Sequence, residues 1–237
     1  MNDIFYGNYC STDSYKTCDK EQLLISTSGG VVTTLVKQLL ASDEYSVAFL
    51  VDDYNYEKYI EVREYRKSDN LHKTPKSRYV PVSQANMLRY CITHRKEKVI
   101  IVATGCVVES FSQAILQNKL NRDNYFIIGL FCNATMNYNI WKYFNKKMGN
   151  SLKNLYFRAK EGKPYFYGSV KLVDDDGRVK YMNPGKRMLL KPYMTMEKCI
   201  YCIDKLNVLA DISVGDEDVY KRQGLSPVNI CKRRGRL

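Results

Sequence analysis

The chain has 237 residues, 45% hydrophobic and 26% charged, with a formal net charge of +12. This is the composition of a globular protein with room for a substantial core, which excludes disordered and fibrous classes. No apolar run approaches the ~18–20 residues of a membrane helix, no basic-then-apolar leader follows Met1-Asn2-Asp3-Ile4, and two histidines leave neither a His-rich metal site nor a His-based triad supported.

Ser26-Thr27-Ser28-Gly29-Gly30 precedes Val31, Val32, Leu35, Val36, Leu39 and Leu40. That spacing predicts a Ser/Gly loop opening an amphipathic helix. Val47–Val51 is a short apolar run ending at Asp52-Asp53, the pattern of a buried strand, and 59–65 alternates as a next strand. Ser83 is the expected N-cap of a helix carrying Met87, Leu88, Cys91 and Ile92. A second buried strand is expected over 99–103, a helix over 110–120, a third strand over 125–130 and a helix over 136–148. Beyond residue 150 the texture changes. Strands are expected over 152–159, 165–173 and 178–181, with Asp175-Asp176-Gly177 as a hairpin turn. Continuous apolar strands alternating with helices predict an α/β fold, a parallel or mixed sheet with helices on both faces, over 1–150. A smaller α+β part is expected over 151–217.

The charge is concentrated at the end. Residues 218–237 hold six basic residues and one acid, and without them the net charge falls to +7. Asp218-Val219-Tyr220-Lys221-Arg222-Gln223 is the translation of GATGTGTATAAGAGACAG, the end of a transposase adapter used in preparing sequencing libraries. Residues 218–237 are therefore expected to be a non-native tail, the alternative being a native basic tail. The native sequence is expected to be cut just after Asp216 or Glu217. The remaining basic surface suits anionic cofactors or a plain solvated face, and nucleic acid is not expected.

Eight cysteines are present. Without a secretion signal the expected compartment is the reducing cytoplasm, where a disulfide framework is not expected. Cys199-Ile200-Tyr201-Cys202 has the spacing of a redox disulfide, a zinc knuckle or an iron–sulfur ligand pair. Cys106 follows the strand 99–103 and Cys132 the strand 125–130, so both fall at the carboxyl edge of a parallel sheet, where sites collect. Four thiols and no nearby His fit an iron–sulfur cluster or a structural zinc. The competing reading makes Cys106 and Cys132 small buried apolar residues. Cys91 is expected in the core.

The segment Cys199-Ile200-Tyr201-Cys202-Ile203-Asp204, followed by Ala210-Asp211-Ile212-Ser213-Val214-Gly215-Asp216, resembles the C-x-x-C-x-D…A-D-I-S-x-G-D signature of the coenzyme F420 hydrogenase/dehydrogenase beta-subunit family. Thr27-Ser28-Gly29-Gly30-Val31-Val32-Thr33 resembles its S-G-G-V-x-T segment. Ser77-Arg78-Tyr79 is similar to its S-K-Y block, Gly129-Leu130-Phe131-Cys132 to its G-L-F-C block, and Phe157-Arg158-Ala159-Lys160 to its F-R-x-K block. The sequence departs from the family's G-x-P-C-Q, with Gly105 before Cys106 and Val107 after it.

The resemblance implies an electron-transfer oxidoreductase subunit holding FAD and a 4Fe-4S cluster, with coenzyme F420 as a possible substrate. It implies cluster ligation by Cys106, Cys132, Cys199 and Cys202. Thr27, Ser28, Gly29 and Gly30 are the expected flavin-phosphate loop, because a Gly-rich helix start offers unhindered N–H groups to a pyrophosphate; an ordinary helix start is the alternative. Ser77, Arg78 and Tyr79 are further flavin candidates. No side chain is assigned as catalytic, since flavin and cluster would carry the chemistry. The expected partners are ferredoxin or other redox subunits. Lys outnumbers Arg 24 to 13, a bias of AT-rich genomes, which favours such a partner over F420 as donor. The alternative is a non-redox accessory protein of polysaccharide biosynthesis with structural cysteines.

Overall fold

A computed structural model describes residues 11–52, 60–161, 168–216 and 228–232. Ten strands and seven α-helices alternate among them: β1 (Ser11–Tyr15), α1 (Lys20–Ile25), α2 (Val31–Ala41), β2 (Val47–Val51), β3 (Val62–Tyr65), α3 (Ala85–Thr93), β4 (Val99–Thr104), α4 (Gly105–Asn118), β5 (Tyr125–Leu130), α5 (Asn139–Lys147), β6 (Leu152–Ala159), β7 (Ser169–Asp174), β8 (Val179–Met182), α6 (Gly185–Met194), α7 (Glu197–Ile200), β9 (Ile212–Asp216) and β10 (Val228–Lys232).

Seven strands form one sheet in the order β1-β10-β9-β5-β4-β2-β3. Its centre, β2-β4-β5-β9, is parallel, and β3, β10 and β1 join antiparallel. This is the mixed sheet that the sequence predicts. Alternate residues of each central strand face opposite layers. Val99, Ile101 and Ala103 pack with Met87, Cys91, Phe111 and Ile115 from α3 and α4. Ile100 and Val102 pack with Val36 and Leu40 of α2. Helices on both faces explain why these strands read as unbroken apolar runs rather than alternations. Cys91 is fully buried, as expected, and burial pushes its thiol up to about 12.

The second sheet, β6-β7-β8, is antiparallel and begins at Leu152. Its core joins Leu155, Phe157 and Leu172 to Trp141 and Phe144 of α5. The chain then returns to the first sheet, where β9 lies parallel to β5. The strand β10, inside the segment expected to be a non-native tail, pairs with both β9 and β1.

Three helix starts differ from expectation. Gln84, not Ser83, is the residue before α3, and Ser83 Oγ accepts only a 3.5 Å bond from the Ala85 N–H. α4 begins at Gly105, five residues before the expected start, because Val108 lies three residues before Phe111 and continues the same buried face. Cys106 therefore sits in the first turn of a helix rather than in a loop. α5 begins at Asn139. Residue 59 and residues 165–167, the first parts of two expected strands, lie outside the described residues.

Candidate functional site

The carboxyl ends of β4 and β5 carry two of the cysteines, and the C-x-x-C segment lies beside them. Cys106 follows β4 by two residues and Cys132 follows β5 by two. The C-x-x-C turn is tied beside them by Lys205. The backbone carbonyl of Lys205 accepts the Cys132 N–H at 3.0 Å, and its Nζ donates to the carbonyls of Asn133 at 2.7 Å and Cys199 at 2.9 Å. The Thr135 N–H donates to Cys199 Sγ at 3.4 Å. On the other side, Asp204 closes on the start of α4. A Cβ at Gly105 would stand 2.8 Å from Asp204 Oδ2 and 2.9 Å from its carbonyl oxygen. Only glycine lets this helix start approach the C-x-x-C segment so closely. Buried Asn207 adds a bond from Nδ2 to the Ala103 carbonyl at 2.8 Å.

The four thiols are electrostatic neighbours. Burial pushes the Cys132 thiol up, and negative charge on Cys106, Cys199 and Cys202 pushes it further. Cys106 is exposed and the other three are half-buried, so none is a sealed core residue. Among the described residues, no three Cys, His, Asp or Glu side chains are gathered into a set that could hold a metal ion. The donor set nevertheless suits a cationic inorganic centre. Thiolates drawn to one centre repel one another, and the positive charge of that centre is what would hold them ionised.

A second constellation joins four segments that the sequence singled out. The Thr27 N–H donates to the Pro75 carbonyl at 3.1 Å, and its Oγ1 accepts the Ser77 N–H at 3.0 Å. Lys160, just past the end of β6, donates from Nζ to the carbonyls of Leu23 at 2.6 Å and Ser28 at 2.8 Å. Burial, then the charges of Lys76 and Arg158, pull the Lys160 ammonium down to about 8. Gly30 caps α2 at φ +73, a left-handed turn that favours glycine, and no side-chain cap covers the first turn. Arg78 Nη2 donates to the carbonyls of Asp52 at 3.3 Å and Lys73 at 3.1 Å. The Tyr79 ring meets Phe157 edge-on at 5.4 Å and lies 4.6 Å from the Arg187 guanidinium.

Arg158 pairs with Asp216 at the end of β9, at 2.5 Å. Burial opposes its charge, yet Tyr79 and Asp216 outweigh burial and leave its affinity for the proton raised. Arg187 is buried, and desolvation lowers its affinity. Nε of Arg158 and Nε of Arg187 are both buried without a hydrogen-bond partner. Arg158, Lys160 and Arg187 outnumber the one carboxylate, Asp216, and that charge balance suits an anion. Arg158, Lys160 and Arg187 are the residues that sequence reasoning missed as site residues. The F-R-x-K block was the available signal for the first two, and Arg187 had none.

A family model describing the C terminus of the coenzyme F420 hydrogenase/dehydrogenase beta subunit matches residues 96–237. The chain belongs to that family. No curated protein matches it. Among solved structures, a chain of the F420-reducing [NiFe] hydrogenase complex from Methanosarcina barkeri is similar, with a TM-score of 0.71 and 20% identity, over 98% of this chain and 78% of that one. At this identity the likeness establishes a shared fold. The family match covers both the C-x-x-C segment and the F-R-x-K block. Among the described residues, no helix is long and apolar enough to cross a membrane.

Proposed function

We propose that this family member is an electron-transfer oxidoreductase subunit that holds FAD at the cation-lined loop and a 4Fe-4S cluster at the four cysteines. The observation carrying this reading is the convergence of its motif segments. Segments 27–30, 77–79, 157–160 and 215–216 are linked around the half-buried Arg158 and Lys160, and Cys132 lies within the electrostatic reach of Cys106, Cys199 and Cys202. FAD would supply hydride chemistry and the cluster single-electron transfer. The chain's own contribution is positional. Lys160 fixes the 23–28 loop, Arg158 and Arg187 offer charge to phosphate, and Lys205 holds the Cys132 and Cys199 backbones in place. Ser28, Gly29 and Gly30 would face the pyrophosphate at the uncapped start of α2, with Ser77, Arg78 and Tyr79 alongside.

The proposed setting is a reducing cytoplasm, with ferredoxin or another redox subunit as partner. The complex that contains the similar solved structure is consistent with partner subunits. Anaerobic reconstitution of the full chain with iron, sulfide and FAD tests the reading. The expected product is brown, contains iron and sulfide, and retains flavin through desalting. Zinc at one per chain without iron would replace the cluster by a structural zinc. Loaded protein mixed under argon with reduced ferredoxin and, separately, with reduced F420 identifies the donor. Flavin bleaching by ferredoxin is expected, and bleaching by F420 alone would reverse the assignment.

We also propose that residues 218–237 are foreign to the native gene. Re-reading the locus without transposase adapters should give a sequence that diverges after residue 217.

A further inference from the structure

The described residues include eleven large hydrophobic side chains that are exposed, and six of them fall between 188 and 203. Met188, Leu189, Tyr193, Ile200, Tyr201 and Ile203 are 49–85% exposed. Scattered apolar residues on a surface need no explanation, but a concentration of them does. The helix α6 shows how it arises. Arg187, Leu190 and Met194 recur at i, i+3 and i+7 and turn inward, where Leu190 and Met194 join the core of the second sheet. Lys186, Leu189 and Tyr193 recur at the same spacing one residue earlier and remain outside. The chain then passes directly into the C-x-x-C turn, where Ile200, Tyr201 and Ile203 flank Cys199 and Cys202.

The charges around this run have one dominant sign. Among the charges that reach the surface between 185 and 203, Lys186, Lys191 and Lys198 stand against the single acid Glu197, while Arg187 is buried. Lys186 and Lys198 are exposed. An apolar centre with two tyrosines and a lysine rim is the composition of a protein interface, and its charge selects an acidic partner. A second copy of this chain carries the same lysines on the same face, so an isologous pairing would oppose like charges.

We propose that residues 186–203 form the docking surface for a small acidic electron-carrier protein, which contacts Leu189, Tyr193, Ile200 and Tyr201 and thereby approaches Cys199 and Cys202. This deepens the redox reading and rests on it. The step itself is the transfer of one electron from the reduced carrier to the centre held by the thiols, leaving the carrier oxidised by one electron.

The test titrates the full chain, reconstituted with iron, sulfide and FAD, with an acidic bacterial-type ferredoxin at about 50 mM salt, where charge attraction is weakly screened. Binding is expected, and it should weaken as salt rises. Tyr193→Asp and Leu189→Asp should each weaken it about ten-fold or more. Iron, sulfide and flavin contents should stay unchanged, which separates a docking defect from a loading defect. Lys186→Glu combined with Lys198→Glu should slow association. Leu116→Asp alters an apolar residue of similar exposure, 66%, on α4, and it should leave binding unchanged. Absence of ferredoxin binding to loaded chain overturns the proposal, as does an equal loss in Leu116→Asp. Self-association that Tyr193→Asp abolishes would assign the face to a second copy. Binding to phosphatidylserine vesicles in place of ferredoxin would assign it to a lipid surface. If the chain takes up neither iron nor flavin, the redox reading fails separately, and the same titration on unloaded chain decides whether the surface binds.

Discussion

The two constellations are built in opposite ways. At the cysteine end, the backbones of Cys132 and Cys199 are tied to Lys205 and the thiols stay exposed or half-buried. At the loop end, largely buried cations reach across from another sheet to backbone carbonyls and a carboxylate. The first arrangement leaves its reactive atoms within reach of a partner. The second withdraws charge from water, where each unspent donor is worth more to an incoming anion. On the proposed function, a subunit that takes electrons from a protein and holds a phosphate-bearing cofactor would need one of each. The difference also predicts that the two ends can be damaged separately.

The largest expected effect is at the thiols. Cys199→Ser with Cys202→Ser should abolish iron and sulfide uptake while FAD is still retained. Joint loss of both cofactors would show that the two ends form one cooperative site. Next is Lys160→Met, which removes both ties to the 23–28 loop. It should weaken FAD binding about ten-fold or more, the scale of a charged hydrogen bond, with iron content intact.

Lys160 also carries a pH signature of definite sign. Its folded-state pKa of about 8 lies below the ordinary 10.5. Between those values the unfolded chain binds more protons, so its contribution to the stability of the cofactor-free protein should rise with pH. FAD affinity should fall through the same window as the ammonium loses its charge. Titrations of denaturant midpoint and FAD affinity check the two opposite slopes, and both should disappear in Lys160→Met.

A smaller effect is expected at the join between α4 and the C-x-x-C segment. Gly105→Ala drives a methyl against Asp204 and should cost about 1–3 kcal/mol in denaturant unfolding, as overpacking does. The smallest is far from both ends. The Lys98–Glu44 pair is exposed at both partners, and Lys98→Ala should stay within about 0.5 kcal/mol.

The cysteine end was readable because thiols are few and two of them follow apolar strands by a fixed step. Its helical start at Gly105 was not, because glycine reads as a loop residue although a first helical turn tolerates it. The loop end was readable only in part. Ser28, Gly29 and Gly30 stand out by type, but Arg158, Lys160 and Arg187 are three among 37 Lys and Arg. Burial distinguishes them, and burial depends on tertiary packing. The helix α6 escaped notice for a related reason. It places Arg187 on its inward face and Pro192 within its span, and both interrupt the apolar period that reveals a helix. The central sheet was legible because β2, β4 and β5 are covered on both faces and carry continuous apolar sequence. The place of β9 beside β5 was not, since nothing local in 212–216 specifies a partner strand more than eighty residues earlier.

That placement has a consequence for how the protein is made. While the ribosome is still adding residues 131–211, β5 has β4 on one side and an open row of N–H and C=O groups on the other. The second sheet, whose strands are neighbours in sequence, can close during this interval. The first sheet cannot, because its next strand has not emerged. The nascent chain thus carries an unpaired edge of nearly uninterrupted apolar sequence, Tyr125–Leu130, the kind of edge that recruits other chains. A pause or truncation in synthesis before residue 212 should therefore yield aggregates seeded at β5, and a chaperone that shields extended apolar segments should raise the yield of the completed chain.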